Sequence, residues 1–515
     1  MTAVRRFLRA VAFASLTPCT SDLVAQAVPR DAFTLEDAVR LARERSQRIR
    51  QQLEQQDASR GVALSAAEPF ATQWTGSAYQ QRQGSWQFAN TTPTPITADT
   101  RDVQIGAERR LRSGLTLQPS LGVTRTDPGA SGPQIRNNAL RLDFILPLAS
   151  GFGGGSLVAQ ERAAVAIRRS DELRSSSIAA ETLRDATLAY WNYVGAELRR
   201  IVFDSSQARA HKTEGDMRQL VAAGERPAAD LGPVLASVAA KRAARLAAEQ
   251  EMSDARRQVG TVIGLEADET LRLPTATTAL PQGQHLPADG PSLQKLAAAA
   301  AAGRPDVVAV AHDASASEVL LRGAQNELRP RIDLNGSLAY TRVDRTVGIS
   351  SEPSTLRNAF PGTSVSLGVS YQQRLHNVGA EGREVQLAAV ARQLRRAHDD
   401  AARTASIGVL FAGEAMRRGA DVLEQNVVAT ELQRSAVENA RIRYRSGDAT
   451  IIDLLVQEDA LISSRLSEVG ARLAYARALA VFRFETGALG VSTRSPRAIV
   501  LLLTTTAADA PLPSP

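Results

Sequence analysis

The chain has 515 residues, 43% apolar but only 4% aromatic, which leaves room for several domains and is thin for one large enzyme core. A formal charge of +7 hides a near balance, 61 Lys and Arg against 54 Asp and Glu. The two signs interleave along helical stretches as solvated faces, which argues against a nucleic-acid partner.

The N-terminus reads as an export address. "MTAVRRFLRAVAFASL" has a basic start (Arg5, Arg6, Arg9) and a short apolar run, followed by small residues at Ala25 and Ala27. That pattern predicts a signal peptide over 1–27, cleaved after Ala27. Cys19 raises the rival of a lipid-modified cysteine, but Pro18 stands where such a signal wants a small residue. Cleavage would remove the only cysteine and leave a chain without disulfides. No apolar run reaches about 18 residues, so no membrane-spanning helix is expected.

"TLEDAVRLARERSQRI" (Thr34 to Ile49) then opens a helix of some 35 residues. Alternating segments follow. A weak one covers Phe70 to Gln83. Next, Val103, Ile105 and Ala107 alternate with Gln104, Gly106 and Glu108, and Leu115, Leu117, Leu121 and Val123 with Thr116, Gln118, Ser120, Gly122 and Thr124. Leu140, Leu142, Phe144 and Leu146 close the series. Period-2 alternation predicts strands with one apolar face. "GFGGGS" (Gly151 to Ser156) reads as a flexible join to a long helix, Ser156 to Ala223. It is no dinucleotide loop, because Ser156 occupies the third glycine position and no βαβ unit surrounds it.

"VAAGERPAADL" (Val221 to Leu231) interrupts that helix, and a return helix runs from about Ala229 to Ile263. Gly224 ends one helix, and Pro227 suits the first turn of the next. After a linker at 275–290, "SLQKLAAAAAAGRPDV" (Ser292 to Val307) starts the same order of parts again. Two more alternating segments contain Ile332, Leu334, Leu338 and Tyr340, then Val365, Leu367, Val369 and Tyr371. A second long arm, Ala380 to Ser446, ends in "YRSGDATIIDLL". There Gly447 stops the helix, and Thr450 with Asp453 forms a Thr-x-x-acid cap for the next one. Leu455, Ile462, Val469 and Ala476 fall seven apart, with Leu466, Leu473 and Ala480 four after three of them, so the return helix packs along a partner.

The repetition is a duplication. Leu35 and Leu293 are 258 residues apart, and Gly224 and Gly447 are 223 apart, so the first copy carries 35 extra residues before its Gly-x5-Asp stretch. In each copy another Gly follows 40 residues later, at Gly264 and Gly487. Each long arm would measure ~100 Å at ~1.5 Å per residue, matched by two shorter helices laid end to end. The expected architecture is a rod of antiparallel helices with both tips, 224–230 and 447–453, at the end away from the strands.

Alternation alone fits a half-buried soluble sheet. Export, a polar face of Ser, Thr, Asn and Gln, and long polar loops (Gly84 to Thr100, Asp127 to Asn137) favour a membrane barrel wall with a wet lumen. Such sheets must close, and one chain has too few strands, so several chains must share the barrel.

At this point the chain resembles the TolC-like outer-membrane efflux proteins from about Phe33 to Gly487. The resemblance rests on "TLEDAVRLA", "GRPDVVAV", "ILPLASGFG" after a strand, and "YRSGDATIIDLL", in this order and duplicated. It implies a mixed α and β membrane protein: a long antiparallel α-helical coiled-coil barrel joined to an oligomeric transmembrane antiparallel β-barrel, built from two tandem repeats. It further implies homotrimers with four strands per chain in a 12-stranded barrel. The rod would cross the periplasm and dock on a periplasmic adaptor (membrane fusion) protein and an inner-membrane pump of RND, ABC or similar type. The domains are then a first repeat at 28–274, a second at 291–490 and a disordered tail at 491–515.

The function implied is a passive exit duct in the outer membrane, serving tripartite efflux or type I secretion, with no cofactor and no enzymatic step. Five scattered histidines (His211, His285, His312, His376, His398) fit no metal-ligand spacing, and no G-x-S-x-G or P-loop occurs. A soluble or peripheral coiled-coil adaptor is the alternative, but it does not explain the amphipathic strands.

Two expectations concern particular residues. The extra hairpin, Arg101 to Thr126, either adds two strands per chain, giving 18 per trimer, or stands outside a 12-stranded wall. At the periplasmic mouth, Asp230 and Asp453 are candidate gate residues: as anions at helix starts they are either caps and no more or, where they face the axis, rings of three that select or block cations. The resemblance implies acidic rings at that mouth with salt bridges between tips. Asp453 matches, but the next acidic position one turn on is Val456 here and the tip position that can carry a basic partner is Ala449, so a simpler gate than the family's is expected. Arg226 and Arg445 are substitute partners for the acids, and Gly224, Pro227, Gly447 and Thr450 complete the adaptor-facing tips.

Overall fold

The computed structural model describes residues 32–89, 92–129, 134–283, 290–344, 360–489 and 495–504. The stretch expected to be a signal peptide, with Cys19, lies outside them. Thr34 begins the fold with a capping box: its hydroxyl accepts from the Asp37 backbone N at 3.1 Å, and the Asp37 carboxylate takes the Thr34 N–H. The expected 35-residue helix is two helices, α1 (Leu35–Arg45) and α2 (Gln47–Ala66), because Ser46 has ψ 123° and leaves the helical region. The second copy breaks at the position 258 residues later. There Arg304, extended because Pro305 follows, separates α6 (Gly290–Gly303) from α7 (Pro305–Glu327).

Between these come β1 (Gln73–Ala89), β2 (Thr92–Arg110), β3 (Thr116–Asp127), β4 (Ile135–Pro147), α3 (Gly155–Ala222), α4 (Leu231–Ile263) and α5 (Ala267–Leu271). After α7 come β5 (Arg331–Asp344), β6 (Phe360–Gln372), α8 (Val378–Ser446), α9 (Ile451–Glu485) and α10 (Pro496–Thr504). The long arms α3 and α8 have 68 and 69 residues, each ~100 Å long. Near the sheet, α3 packs against α2 and α7. Toward its tip it packs against α4, and α8 likewise packs against α7 and then α9.

The main core lies at mid-rod, where α1, α3, α4 and α9 meet. Tyr190, Trp191 and Tyr193 are fully buried there, at one level of the rod. Tyr190 donates its hydroxyl to the Phe33 carbonyl at 3.2 Å and accepts the Thr278 N–H at 3.1 Å, tying the segment after α5 to the rod. Within the tail expected to be disordered, the described residues 495–504 contain a helix. α10 buries Ile499 and Leu503 in this core, Leu502 is buried beside them, and Arg483 donates to the Leu502 carbonyl at 3.2 Å. Its three apolar side chains give it a face to bury, which a reading by composition passed over.

The α9 stripe is also wider than a single seven-residue repeat. Ile462, Leu473, Ala476 and Ala480 are buried as expected, whereas Leu455, Leu466 and Val469 are half-buried. Ile451, Leu454, Leu461, Tyr475, Leu479 and Phe482 are buried beside them, because α9 packs against both α8 and α3.

All six strands form one antiparallel sheet in the order β1-β2-β3-β4-β5-β6, each paired with its neighbour in sequence. The extra hairpin is therefore part of the sheet, as β2 and β3, and the four-strand pattern implied by the resemblance does not hold. Within the chain, β1 and β6 are the two edges.

Candidate functional site at the sheet and the hairpin tips

Register sorts every strand side chain onto one of two faces. On one face Val103 opposes Val123, Ile105 opposes Leu121, and Leu121 opposes Leu140. Leu140 opposes Tyr340, Leu142 opposes Leu338, and Leu338 opposes Val365. The result is a continuous apolar belt, with Val103, Ile105, Leu121, Leu140, Leu338, Val365, Leu367 and Val369 exposed along it. Trp74 on β1 and Tyr371 on β6 stand exposed at its rod-side margin. Aromatic residues at the border of an apolar band are a mark of membrane barrels.

The opposite face is polar and bonded within itself. Thr124 donates to Asp102 at 2.6 Å, Gln118 to Glu108 at 3.0 Å, Asn335 to Ser370 at 3.0 Å and Arg331 to Asp333 at 2.6 Å. An exposed apolar face with a hydrogen-bonded polar face behind it is inside-out for a water-soluble sheet. Among the described residues, no helix is long and apolar enough to cross a membrane, which says nothing about a barrel.

The join from sheet to rod is built rather than flexible. Gly154 has φ 83°, and a Cβ there would collide with Val158 and lie 2.7 Å from the Arg112 carbonyl oxygen. Arg112 holds Glu161 on α3 with Nε 2.8 Å from the carboxylate, and Asn326 Oδ1 accepts the Gly151 N–H at 2.7 Å. The glycines are needed because the β2–β3 turn sits against the first turn of α3, and the sequence shows their freedom but not this contact.

At the far end of the rod the two hairpin tips touch. Met217 and Val234 of the first hairpin and Ile451 and Leu454 of the second form a small buried cluster, with Val221, Leu231, Tyr444 and Leu455 packed around it. Gly224 and Gly447 take φ 78° and 85°, as expected for helix stops. The second tip has the expected capping box: Asp453 Oδ2 accepts the Thr450 N–H at 2.9 Å and its hydroxyl at 2.8 Å, and Thr450 Oγ1 accepts the Asp453 N–H at 3.2 Å. The Thr450 backbone and hydroxyl bonds, with Arg443 adding charge, hold the Asp453 carboxyl below its ordinary value.

The first tip is built differently. Pro227 stands outside the helix in an extended conformation, and a short 3-10 turn, Ala228–Asp230, leads into α4. Asp230 makes no side-chain cap there. Arg226 lies 5.3 Å from the Tyr444 ring centre, and no ion pair within the chain joins it to Asp453 or Asp230 among the described residues. Arg445 ends α8, exposed at the second tip, and forms no ion pair with either acid there. Within one chain, Arg226 thus sits on an aromatic face rather than beside either acid. Burial, opposed by Arg226 and assisted by Asp230, raises the Tyr444 hydroxyl. Tyr444 and Met217 were missed as tip residues. The visible signal was a tyrosine three residues before Gly447 in a chain with so few aromatics.

A further contact between hairpins lies closer to the sheet, where Lys241 of α4 pairs with Asp459 of α9; beside it, within the second hairpin, Arg441 of α8 donates to Glu458 at 2.9 Å. Among the described residues, no group of His, Cys, Asp and Glu could hold a metal ion.

No family model and no curated protein matches the chain by sequence. Solved structures do match. The outer-membrane channel OprN superposes with TM-score 0.63 at 20% identity over 88% of this chain and 89% of that one. The Campylobacter jejuni CmeC outer membrane channel gives 0.63 at 11% identity, covering 91% and 89%. The open state of the Neisseria gonorrhoeae MtrE outer membrane channel gives 0.62 at 17% identity, covering 91% of each. The chain has the fold of these outer-membrane channels, as the resemblance in its sequence implied.

Proposed function

We propose that the chain is one subunit of a trimeric outer-membrane exit duct, with its sheet in the outer membrane and its helices in the periplasm. One observation carries this reading: a six-stranded sheet with an exposed apolar face and two open edges stands at one end of helices ~100 Å long. In a bilayer the edge groups of β1 and β6 have no water to bond, so the sheet must close by pairing with other copies. Three copies supply 18 strands, a size that leaves an aqueous lumen. The rod supports the same conclusion. Along α8, Val385, Ile407, Phe411, Val422, Leu432 and Ile442 form an exposed stripe at helical spacing, which a neighbouring copy would cover.

The duct has no cofactor and performs no chemistry of its own. It serves a tripartite efflux or type I secretion system, in which a periplasmic adaptor engages the tips and an inner-membrane pump (RND, ABC or similar) supplies the energy. At the mouth, six tips converge, and Asp230 and Asp453 form acidic rings that attract and retard cations.

Crosslinking of the detergent-purified protein is expected to give trimers that resist salt washing of the membrane; monomers and dimers alone would overturn the assembly. In planar bilayers, Asp230→Ala and Asp453→Ala, separately and together, are expected to relieve cation block. Unchanged conductance and block would reduce both residues to parts of the helix starts.

A further inference from the structure

The apolar face ends, on the side away from the helices, in a row of arginines. Arg101 on β2 opposes Arg125 on β3, and Arg125 opposes Arg136 on β4. All three lie on the face of the belt, two residues beyond Val103, Val123 and Asn138 along their strands. Like charges directly opposed across strands are destabilising, and here two such pairs are consecutive. None of the three has an ion pair among the described residues, whereas two other arginines on the same face are engaged. Arg82 is held by Asp99 at 2.7 and 2.8 Å, and Arg342 lies over the Tyr340 ring with Nε 3.0 Å from its hydroxyl.

The nearby acids are largely committed elsewhere. Asp99 holds Arg82, and Asp127 accepts from Gln134 at 2.7 Å and from the Gly129 N–H at 3.0 Å. Asp344 stands opposite Arg136 in the register. The row spans two strand spacings, ~10 Å.

Height identifies what meets this row. From Leu146, near the rod-side margin of the belt, to Arg136 on the same strand is ten residues, ~33 Å of strand. At a barrel tilt of about 40° this rises ~25 Å, the height of the apolar band in a membrane barrel. The arginines therefore lie where the far-side headgroups begin.

We propose that Arg101, Arg125 and Arg136 form a lipid site on the outer wall that takes the phosphate groups of a multiply phosphorylated glycolipid in the outer leaflet. Guanidinium is suited to this by its bidentate match to phosphate and its weak hydration. The anion also relieves the two like-charge pairs, so the site binds a phosphorylated headgroup in preference to a zwitterionic one. The inference rests on the sheet being a membrane wall, as proposed above.

The test uses the full chain, purified in detergent in its assembled form. Retention of bisphosphorylated lipid A, monophosphorylated lipid A and phosphatidylcholine is measured by native mass spectrometry, with millimolar inorganic phosphate as competitor. The wild type is expected to retain the bisphosphorylated form best, and free phosphate is not expected to displace it. At roughly fivefold per arginine near a membrane surface, the triple variant R101Q/R125Q/R136Q should bind about 100-fold more weakly. Arg141→Gln, on the polar face, serves as the control and should change nothing. Equal lipid retention by wild type and triple variant, with both integrated in the outer membrane, overturns the lipid site and leaves the wall intact. A wild type that carbonate washes from the membrane overturns the wall and the site together.

Discussion

The two hairpin tips descend from one sequence pattern, Gly-x5-Asp, yet they are fastened by different means. The second is closed locally, by a capping box whose partners are three residues apart. The first lacks that cap, and it relies on Pro227, on Arg226 over Tyr444 and on Met217 and Val234 buried against the other hairpin. One tip therefore carries its own stability, and the other borrows from its neighbour. In a duplicated protein this asymmetry indicates which tip moves first: the one whose fastenings are tertiary opens when the hairpins part.

The largest expected effect tests the borrowing. Met217→Ala and Ile451→Ala each remove a buried side chain from the shared cluster, a loss on the order of 2–5 kcal/mol in a well-packed site. Read by amide exchange, either change should expose 220–231 far more than 447–455, because the capping box still holds the second tip. Equal opening of both tips would show them to be one cooperative unit. A smaller effect acts in the other direction. Thr450→Ala should raise exchange at 450–455 by the equivalent of about 1 kcal/mol and leave 224–231 unchanged.

Much of this was legible in the sequence, since helix stops and caps are local. Gly224, Gly447, Thr450 and Asp453 declare themselves by residue type and spacing, and period-2 alternation identified the six strands. What could not be read depends on residues distant in the chain. The contact of Arg226 with Tyr444 joins residues 218 apart, and the burial of Ile499 and Leu503 depends on a core formed by α1, α3 and α9. The glycine join looked flexible because its reason, the Arg112 carbonyl beside Gly154, lies in a turn some forty residues earlier. Whether the extra hairpin joins the wall was likewise undecided by alternation, which gives the face of a strand but not its neighbours.

A weaker fastening sharpens the comparison further. Arg226→Ala removes the cation from the Tyr444 ring, worth about 0.5–1 kcal/mol at a partly exposed site. It should loosen the first tip in exchange measurements, and Arg226→Lys should restore part of the loss because the charge stays over the ring. If Arg226→Ala changed both tips equally, the contact would belong to the shared cluster rather than to the first tip.

Acid gives the gentlest test, and its sign follows from Asp453. The carboxyl is held below its ordinary value by the Thr450 backbone N–H and hydroxyl, so the folded tip favours the charged form. The stabilisation is then fully present above the ordinary aspartate value of about 4 and fades as pH falls through the lower folded value. The second tip should therefore soften only below about pH 4. The first tip has no side-chain cap of this kind to lose. Exchange at 450–455 that rises on acidification in the wild type but stays flat in Thr450→Ala would tie the effect to the capping box. A rise of the same size in both proteins would assign it to other carboxylates of the rod.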